Sequence, residues 1–180
     1  MTSVLLLAGF MAALAMPAWG QKIPAMDPQR GSREGNRAPV FSLKDLDGHD
    51  YRLQEMLGKK VVHLAFWATW CVPCVAEIPV LRDVYDRYHD RGLEVLGVVV
   101  PISQTREGVR AFSEKHGINY PILWDDDEKT TSLYRVASVP RNFLIGKDGI
   151  IRHAGVELPE DLDSLIESLL KDGEPAAAGP

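Results

Sequence analysis

The chain has 180 residues, of which 20 are Lys or Arg, 25 are Asp or Glu and two are cysteine. This length is sufficient for one domain with its own hydrophobic core. The net charge of −5 at pH 7 argues against a basic domain that binds nucleic acid, so we expect no nucleic-acid partner. Two cysteines are too few for a disulfide-stapled mini-protein or a four-cysteine zinc site.

The first 20 residues contain no Lys, Arg, Asp, Glu or His, and residues 4–16 form an apolar run. This run is too short to span the ~30 Å hydrocarbon core of a membrane, but its length is typical of a secretory signal peptide. Ala18-Trp19-Gly20 then provides the small–any–small pattern of a cleavage site. We predict a signal peptide over residues 1–20, with an uncleaved anchor as the alternative. The domain would then lie in an exported, oxidising compartment such as the periplasm.

Three further segments follow the signal peptide. Residues 21–36 are rich in Pro, Gly, Gln and Arg and lack periodicity, so they are predicted to be a linker. Residues 173–180 have the composition of a disordered tail. Residues 37–172 contain alternating strand and helix patterns and are predicted to form a single domain.

The elements of this domain follow from apolar periodicity and from turn residues. In chain order we predict strands at 41–43, 51–53 and 61–66, a helix at 72–90, a strand at 93–100, a helix from Ser103 or Thr105 to His116, a strand at 120–124, a short helix at 128–134, strands at 141–145 and 150–156, and a last helix opened by Pro159. Two consecutive βαβ units imply parallel strands, and the closing hairpin adds antiparallel ones. The predicted fold is an α/β domain with a mixed central sheet flanked by helices.

The two cysteines, Cys71 and Cys74, lie where strand 61–66 meets helix 72–90. Free backbone N–H groups and the helix dipole favour a thiolate at Cys71. That thiolate can attack a substrate disulfide, and Cys74 can then resolve the mixed disulfide. The alternatives are a structural disulfide, which gains little from so short a loop, and a metal site, for which the histidines show no paired spacing. We favour a redox pair and predict no metal.

The segment FWATWCVPCVAEIP, residues 66–79, resembles the active site of thioredoxin-superfamily proteins. More narrowly, it resembles the TlpA/ResA-type exported thiol–disulfide oxidoreductases, which include the thioredoxins of cytochrome c maturation. The resemblance covers residues 37–171. It implies a thioredoxin-like fold with an N-terminal β-hairpin extension, which matches the turn signal Asp47-Gly48.

The resemblance also implies roles for individual residues. Cys71 matches the attacking cysteine and Cys74 the resolving one. Trp70 matches the tryptophan that shields the pair, and Pro73 matches the residue that tunes the redox potential.

The segment Ser138-Val139-Pro140 looks like the loop that faces the cysteines in this superfamily. Val139 would then offer backbone hydrogen bonds to a bound substrate chain. Pro140 would follow a cis peptide bond, although only about 5–6% of X–Pro bonds in folded proteins are cis.

Glu77 lies about one helical turn beyond Cys74. In the resembling subgroup a glutamate at this place lies beneath the cysteines and assists proton transfer. Typical thioredoxins instead carry a buried aspartate at a strand position that is Ala65 in this chain. Glu77 is therefore the candidate base, with an ordinary exposed helix glutamate as the alternative. Two other polar features are interpreted structurally: His63 as a core histidine, and residues 125–128 as a solvated acidic turn.

The function that the resemblance implies is the reduction of protein disulfides in the periplasm or a similar exported space. The clients would be apocytochrome c or copper-site assembly proteins, and electrons would come from a membrane thiol–disulfide transporter. We expect a monomer that needs no organic cofactor beyond the redox-active disulfide. One alternative is a disulfide-forming oxidase, which would usually carry a His between the cysteines. The other is a copper-binding assembly factor, for which His153 would be the downstream ligand.

Overall fold

The computed structural model describes residues 32–172. The strands are β1 Ser42–Asp45, β2 Asp50–Arg52, β3 Val61–Trp67, β4 Leu93–Val99, β5 Ile122–Trp124, β6 Arg141–Ile145 and β7 Ile151–Gly155. The helices are α1 Leu53–Met56, α2 Val72–Tyr88, α3 Arg106–His116, α4 Lys129–Leu133 and α5 Leu162–Lys171, and a short 3-10 helix at His89–Arg91 follows α2. The predicted signal peptide, most of the predicted linker and the predicted tail lie outside the described residues.

The seven strands form one sheet in the order β2-β1-β5-β4-β3-β6-β7. The neighbours β3, β4 and β5 are parallel, and they are joined by the crossover helices α2 and α3. The pairs β1–β2, β1–β5, β3–β6 and β6–β7 are antiparallel. The predicted mixed α/β architecture with an N-terminal hairpin is therefore confirmed.

Every residue of β3 and β4 is buried, because helices or loops cover both faces of the sheet. Alternate residues of β3 point to opposite faces. Val61, Ala65 and Trp67 join an apolar cluster with α2, α3 and α5, and this cluster contains both cysteines. On the other face of the sheet, Val62, Leu64 and Phe66 of β3 pack with α1 and with Tyr134. The two layers hold the end of β3 rigidly beneath the start of α2.

Two elements differ from the sequence expectation. The four-residue helix α1 follows β2 directly and is too short to leave a periodic pattern. The last helix begins at Leu162 rather than at Pro159. Its start is delayed because Pro159 opens a turn in which its carbonyl accepts the Leu162 N–H at 3.2 Å.

The end of the predicted linker contacts the domain. The Gly35 N–H donates to the Ile151 carbonyl at 2.9 Å, and the Ile151 N–H donates to the Asn36 carbonyl at the same distance. Arg37 forms a bridge with Ile150. These backbone bonds extend the outer edge of β7, so the end of the predicted linker packs against the domain. Across residues 32–172, no helix combines the length and the apolar character needed to cross a membrane.

Candidate active site

The cysteine pair occupies the N-terminal turn of α2. Cys71 is the N-cap residue, and its Sγ accepts a hydrogen bond from the Cys74 backbone N–H at 3.3 Å. Pro73 lies in the first turn, where a missing N–H leaves no hydrogen bond unmade. Cys71 and Cys74 form a disulfide with their Cα atoms 5.3 Å apart. The two cysteines thus lie close enough for the predicted exchange, and their redox activity stays a prediction.

The disulfide is buried beside an exposed tryptophan. Cys71 and Cys74 are only 4% and 3% exposed, whereas Trp70 is 52% exposed. The indole nitrogen of Trp70 donates to the Ile102 carbonyl at 2.9 Å, which fixes the ring to the neighbouring loop. The side chains of Val72 and Ile102 are also exposed. The buried pair therefore adjoins an apolar rim that an incoming protein chain can contact.

A glutamine holds this loop in place. The Gln104 side-chain oxygen accepts the Thr69 N–H at 2.7 Å, and its amide nitrogen donates to the Val100 carbonyl at 2.6 Å. The segment that leads into Cys71 is thus tied to the segment that follows β4. Gln104 was not predictable from the sequence, because a single glutamine in a loop leaves no pattern.

The loop before β6 contains the predicted cis peptide bond, between Val139 and Pro140. Pro140 is buried, and Val139 packs against the apolar cluster that contains both cysteines. The loop leads into β6, which pairs with β3 at the strand end nearest the cysteines. The cis bond is confirmed, and hydrogen bonding of a substrate to the Val139 backbone stays a prediction.

Glu77 is partly buried rather than fully solvated. Its two carboxylate oxygens accept hydrogen bonds from the Asn142 side-chain nitrogen at 3.2 and 3.1 Å. Burial raises the pKa of Glu77, the hydrogen bond from Asn142 opposes this effect, and the charge of Glu157 adds to it. Glu77 is therefore not the ordinary exposed helix residue of the alternative interpretation.

Two buried polar residues lie behind Glu77. Asn142 is directly opposite Ala65 in the β3–β6 pairing, and its side-chain oxygen lies 3.2 Å from Nε2 of His63. His63 is buried as expected, and burial lowers its pKa to about 4. Its Nδ1 has no hydrogen-bond partner within residues 32–172. Asn142 was not predicted from the sequence, although a polar residue at the start of the apolar run Phe143-Leu144-Ile145 was a usable signal.

Other candidate ligands do not gather at the cysteines. In the described part of the chain, one group of potential metal ligands lies close together: Asp45 at the end of β1, with Asp47 and His49 in the turn that follows. The Asp45 carboxylate accepts hydrogen bonds from the His49 ring and from two backbone N–H groups of that turn. Nε2 of His153 lies 2.9 Å from the Glu157 carbonyl oxygen. Both features are explained by turn geometry.

The sequence is similar to a known protein family and to two thiol-disulfide oxidoreductases. The AhpC/TSA family matches residues 35–154. The thiol-disulfide oxidoreductase ResA of Geobacillus kaustophilus (strain HTA426) is 37% identical over 137 residues, which cover 75% of this chain and 77% of that protein. ResA of Bacillus subtilis (strain 168) is 32% identical over 142 residues, 78% of each protein.

The similarity extends to solved structures. A thiol:disulfide interchange protein from Chlorobium tepidum TLS superposes with a TM-score of 0.64 at 26% identity, covering 74% of this chain and 95% of that one. StoA from Bacillus subtilis superposes with a TM-score of 0.61 at 25% identity, covering 72% and 95%. The AhpC/TSA match over residues 35–154 includes both cysteines.

Proposed function

The chain belongs to the AhpC/TSA family and is a thiol–disulfide oxidoreductase related to ResA, and from this premise we propose that it reduces specific protein disulfides in an exported compartment. The observation that carries the proposal is the Cys71–Cys74 disulfide in the first turn of α2. A dithiol at this position can pass two electrons to a client protein, meaning a protein whose disulfide it reduces.

The exchange takes place in two balanced steps. In the reduced protein, the Cys71 thiolate attacks a client disulfide, forms a Cys71–client bond and expels the other client sulfur as a thiolate. The free N–H groups at the start of α2 stabilise the attacking thiolate. Cys74 then loses its proton and attacks the Cys71 sulfur. The second client sulfur leaves, and the Cys71–Cys74 disulfide forms.

We assign to Glu77 the role of accepting the proton of Cys74. The carboxylate lies one helical turn beyond Cys74, and the position used by typical thioredoxins is Ala65 in this chain. Burial raises the pKa of Glu77 above the usual range of a glutamate, which makes its carboxylate a stronger base for the Cys74 proton. When the disulfide is reduced again, the same carboxylic acid can protonate the departing Cys74 sulfur.

The client-binding residues are Trp70, Val139 and Pro140. The exposed Trp70 ring provides apolar contact area, and the Val139 backbone can pair with an extended client chain as an added strand would. Pro140 sets the direction of this loop, and Pro73 tunes the redox potential from between the cysteines. These roles rest on the resemblance to the TlpA/ResA type and on the positions described above.

The setting of the reaction is part of the proposal. Residues 1–20 direct export to the periplasm or an equivalent space, and the domain acts there as a monomer without an organic cofactor. Its clients belong to cytochrome c maturation or copper-site assembly, and a membrane thiol–disulfide transporter re-reduces it. Equilibration with glutathione buffers tests the direction: a reductant should have a potential near the roughly −270 mV of thioredoxin. A much higher value would favour a disulfide-forming oxidase.

Trapping of clients tests the function itself. In a Cys74→Ser variant, mixed disulfides on Cys71 cannot be resolved, so client proteins should accumulate as complexes that dithiothreitol releases. Expression in the native host, followed by non-reducing electrophoresis and mass spectrometry, identifies them. Cys71→Ser is the matched control and should trap nothing. Equal, empty results for both variants would contradict the exchange mechanism.

A further inference from the structure

Three side chains form a continuous series of hydrogen bonds that runs from α2 into the sheet. The Glu77 carboxylate accepts from the Asn142 amide nitrogen, and the Asn142 oxygen faces Nε2 of His63. The three residues belong to α2, β6 and β3, and both Asn142 and His63 are buried. A buried polar group without a hydrogen bond destabilises the folded state. These three side chains are bonded to one another, so the series is a specific feature of the site.

The orientation of the Asn142 amide follows from its partners. Its nitrogen is near three acceptors, the two Glu77 oxygens and the Val156 carbonyl at 3.4 Å, so both N–H bonds are used. Its oxygen therefore faces His63, whose Nε2 must donate. Burial keeps the imidazole neutral, which places its single proton on Nε2 and leaves Nδ1 without one. Nδ1 has no hydrogen-bond partner in the described residues, so no bond competes for the proton on Nε2.

The bonds from His63 to Asn142 and from Asn142 to Glu77 thus run in the same direction, towards the carboxylate. The His63 N–H polarises the Asn142 amide, and the amide donates to Glu77. Hydrogen bonds of this kind strengthen one another in a low-dielectric interior and favour an ionised acceptor. Without them, burial alone would keep the Glu77 carboxyl protonated to higher pH.

We propose that Asn142 is a positioning residue for thiol–disulfide exchange: its amide, oriented by His63, holds the Glu77 carboxylate in the ionised form that accepts the Cys74 proton. This inference deepens the proposed function and rests on the role of Glu77 as proton acceptor. Asn142 acts through Glu77 and not on the reacting sulfurs.

Other charged groups face this site from several elements. Glu157, which follows β7, adds a negative charge near Glu77, and the charge of Glu77 acts in turn on Tyr120, which precedes β5. His153 on β7 disfavours a positive charge on His63. Replacement of Asn142 or His63 leaves Glu157, Tyr120 and His153 in place, so a change in the titration of Glu77 in these variants reports the lost hydrogen bonds.

The first experiment measures the pKa of Glu77 directly. Carbon NMR of the glutamate carboxyl groups is recorded against pH in the oxidised protein, in which the cysteines do not titrate. Asn142→Leu should raise the midpoint of Glu77 by about one to two pH units, the size expected for a lost hydrogen bond to a charged group. His63→Leu should raise it by less, because the amide remains but loses its orientation. Asn142→Val, which suits a strand, provides a second variant without a donor if Asn142→Leu does not fold.

Asn119→Leu is the matched control. The Asn119 amide nitrogen also donates to a carboxylate oxygen, that of Asp86 at 2.6 Å, and to a backbone carbonyl, that of Arg82 at 3.4 Å. This residue is exposed, and none of its side-chain hydrogen bonds in the described residues involves Glu77 or the cysteines. Its replacement should leave the Glu77 midpoint unchanged.

The second experiment links the titration to the chemistry. The reduced protein reacts with excess 5,5′-dithiobis(2-nitrobenzoate), and Cys71 and then Cys74 each release one thionitrobenzoate. The second release reports the Cys74 attack. Its rate should fall at low pH, where Glu77 becomes protonated. In Asn142→Leu, the pH at which this fall occurs should rise by the same amount as the NMR midpoint. The first release should not change. Glu77→Gln should remove this fall in the rate of the second release at low pH.

The outcomes separate the two proposals. If Asn142→Leu lowers the melting temperature but leaves both the Glu77 midpoint and the pH profile in place, Asn142 is only structural and the inference is wrong. If Glu77→Gln leaves the second release unchanged, the proposed role of Glu77 fails, whatever the NMR midpoint does in Asn142→Leu.

Discussion

The burial of His63 predicts how the free energy of unfolding depends on pH. The residue is 1% exposed, and burial lowers its pKa from 6.5 to about 4, with the nearby His153 adding to the effect and the bond to Asn142 opposing it. The unfolded chain therefore binds more protons than the folded protein between these two pH values. The stabilisation is fully present above pH 6.5 and is lost as the pH falls towards 4. At 1.36 kcal/mol per pH unit, the loss amounts to about 3 kcal/mol.

Urea unfolding of the oxidised protein at a series of pH values between 7 and 4 measures this loss. Other groups also titrate in this range, and Glu77, whose pKa is raised, contributes with the opposite sign. The informative quantity is therefore the difference between the wild type and His63→Leu. The variant should be less sensitive to acid than the wild type by about 3 kcal/mol over this interval.

His49 offers a control of opposite sign. Its pKa is raised by the hydrogen bond and the charge of Asp45, so its stabilisation is present at low pH and is lost as the pH rises. His49→Leu should therefore make the protein more sensitive to acid. If the unfolding free energies of the wild type and His63→Leu fell in parallel with pH, the reasoning about a buried neutral imidazole would be refuted.

Three further substitutions can be checked by urea unfolding at pH 7. Asp125→Ala should cost about 3 kcal/mol, because it leaves two buried backbone N–H groups at the start of α4 and one hydroxyl without their acceptor; exposed Asp127→Ala should change little. Thr105→Ala should cost about 1 kcal/mol by removing the N-cap of α3. Gly97→Ala should cost about 1–3 kcal/mol, because its Cβ would lie 3.0 Å from Nε1 of buried Trp67. Equal stability of Asp125→Ala and Asp127→Ala, or full stability of the other two, would contradict these assignments.

The sheet was predictable because its signals are local. Continuous apolar runs marked the buried parallel strands, and Asp-Gly pairs marked the turns of both hairpins. The two consecutive βαβ units then predicted which strands are parallel. The missed features are the four-residue helix α1 and the delayed start of α5. Both depend on how a few residues pack, and periodicity does not carry that information.

The acidic run 125–128 shows a limit of the same kind. The expectation of a solvated turn holds for residues 126–128, which are exposed, and is wrong for Asp125, which is fully buried. Its carboxylate accepts the N–H groups of Thr130 and Thr131 and the Thr131 hydroxyl. Composition indicates that such a run favours a helix start, but only the path of the chain decides which carboxylate turns inward.

The same distinction explains which site residues the sequence revealed. Glu77 was found because it lies three residues from Cys74 on one helix, whereas Asn142 lies 65 residues beyond Glu77 and 79 beyond His63. These distant residues meet because β6 pairs with β3, which places Asn142 between Ala65 and Gly155. Both neighbours are small, so the amide has room for a carboxylate from α2. Ala65 therefore does more than lack a carboxylate: it leaves the space through which the helix carboxylate reaches the sheet.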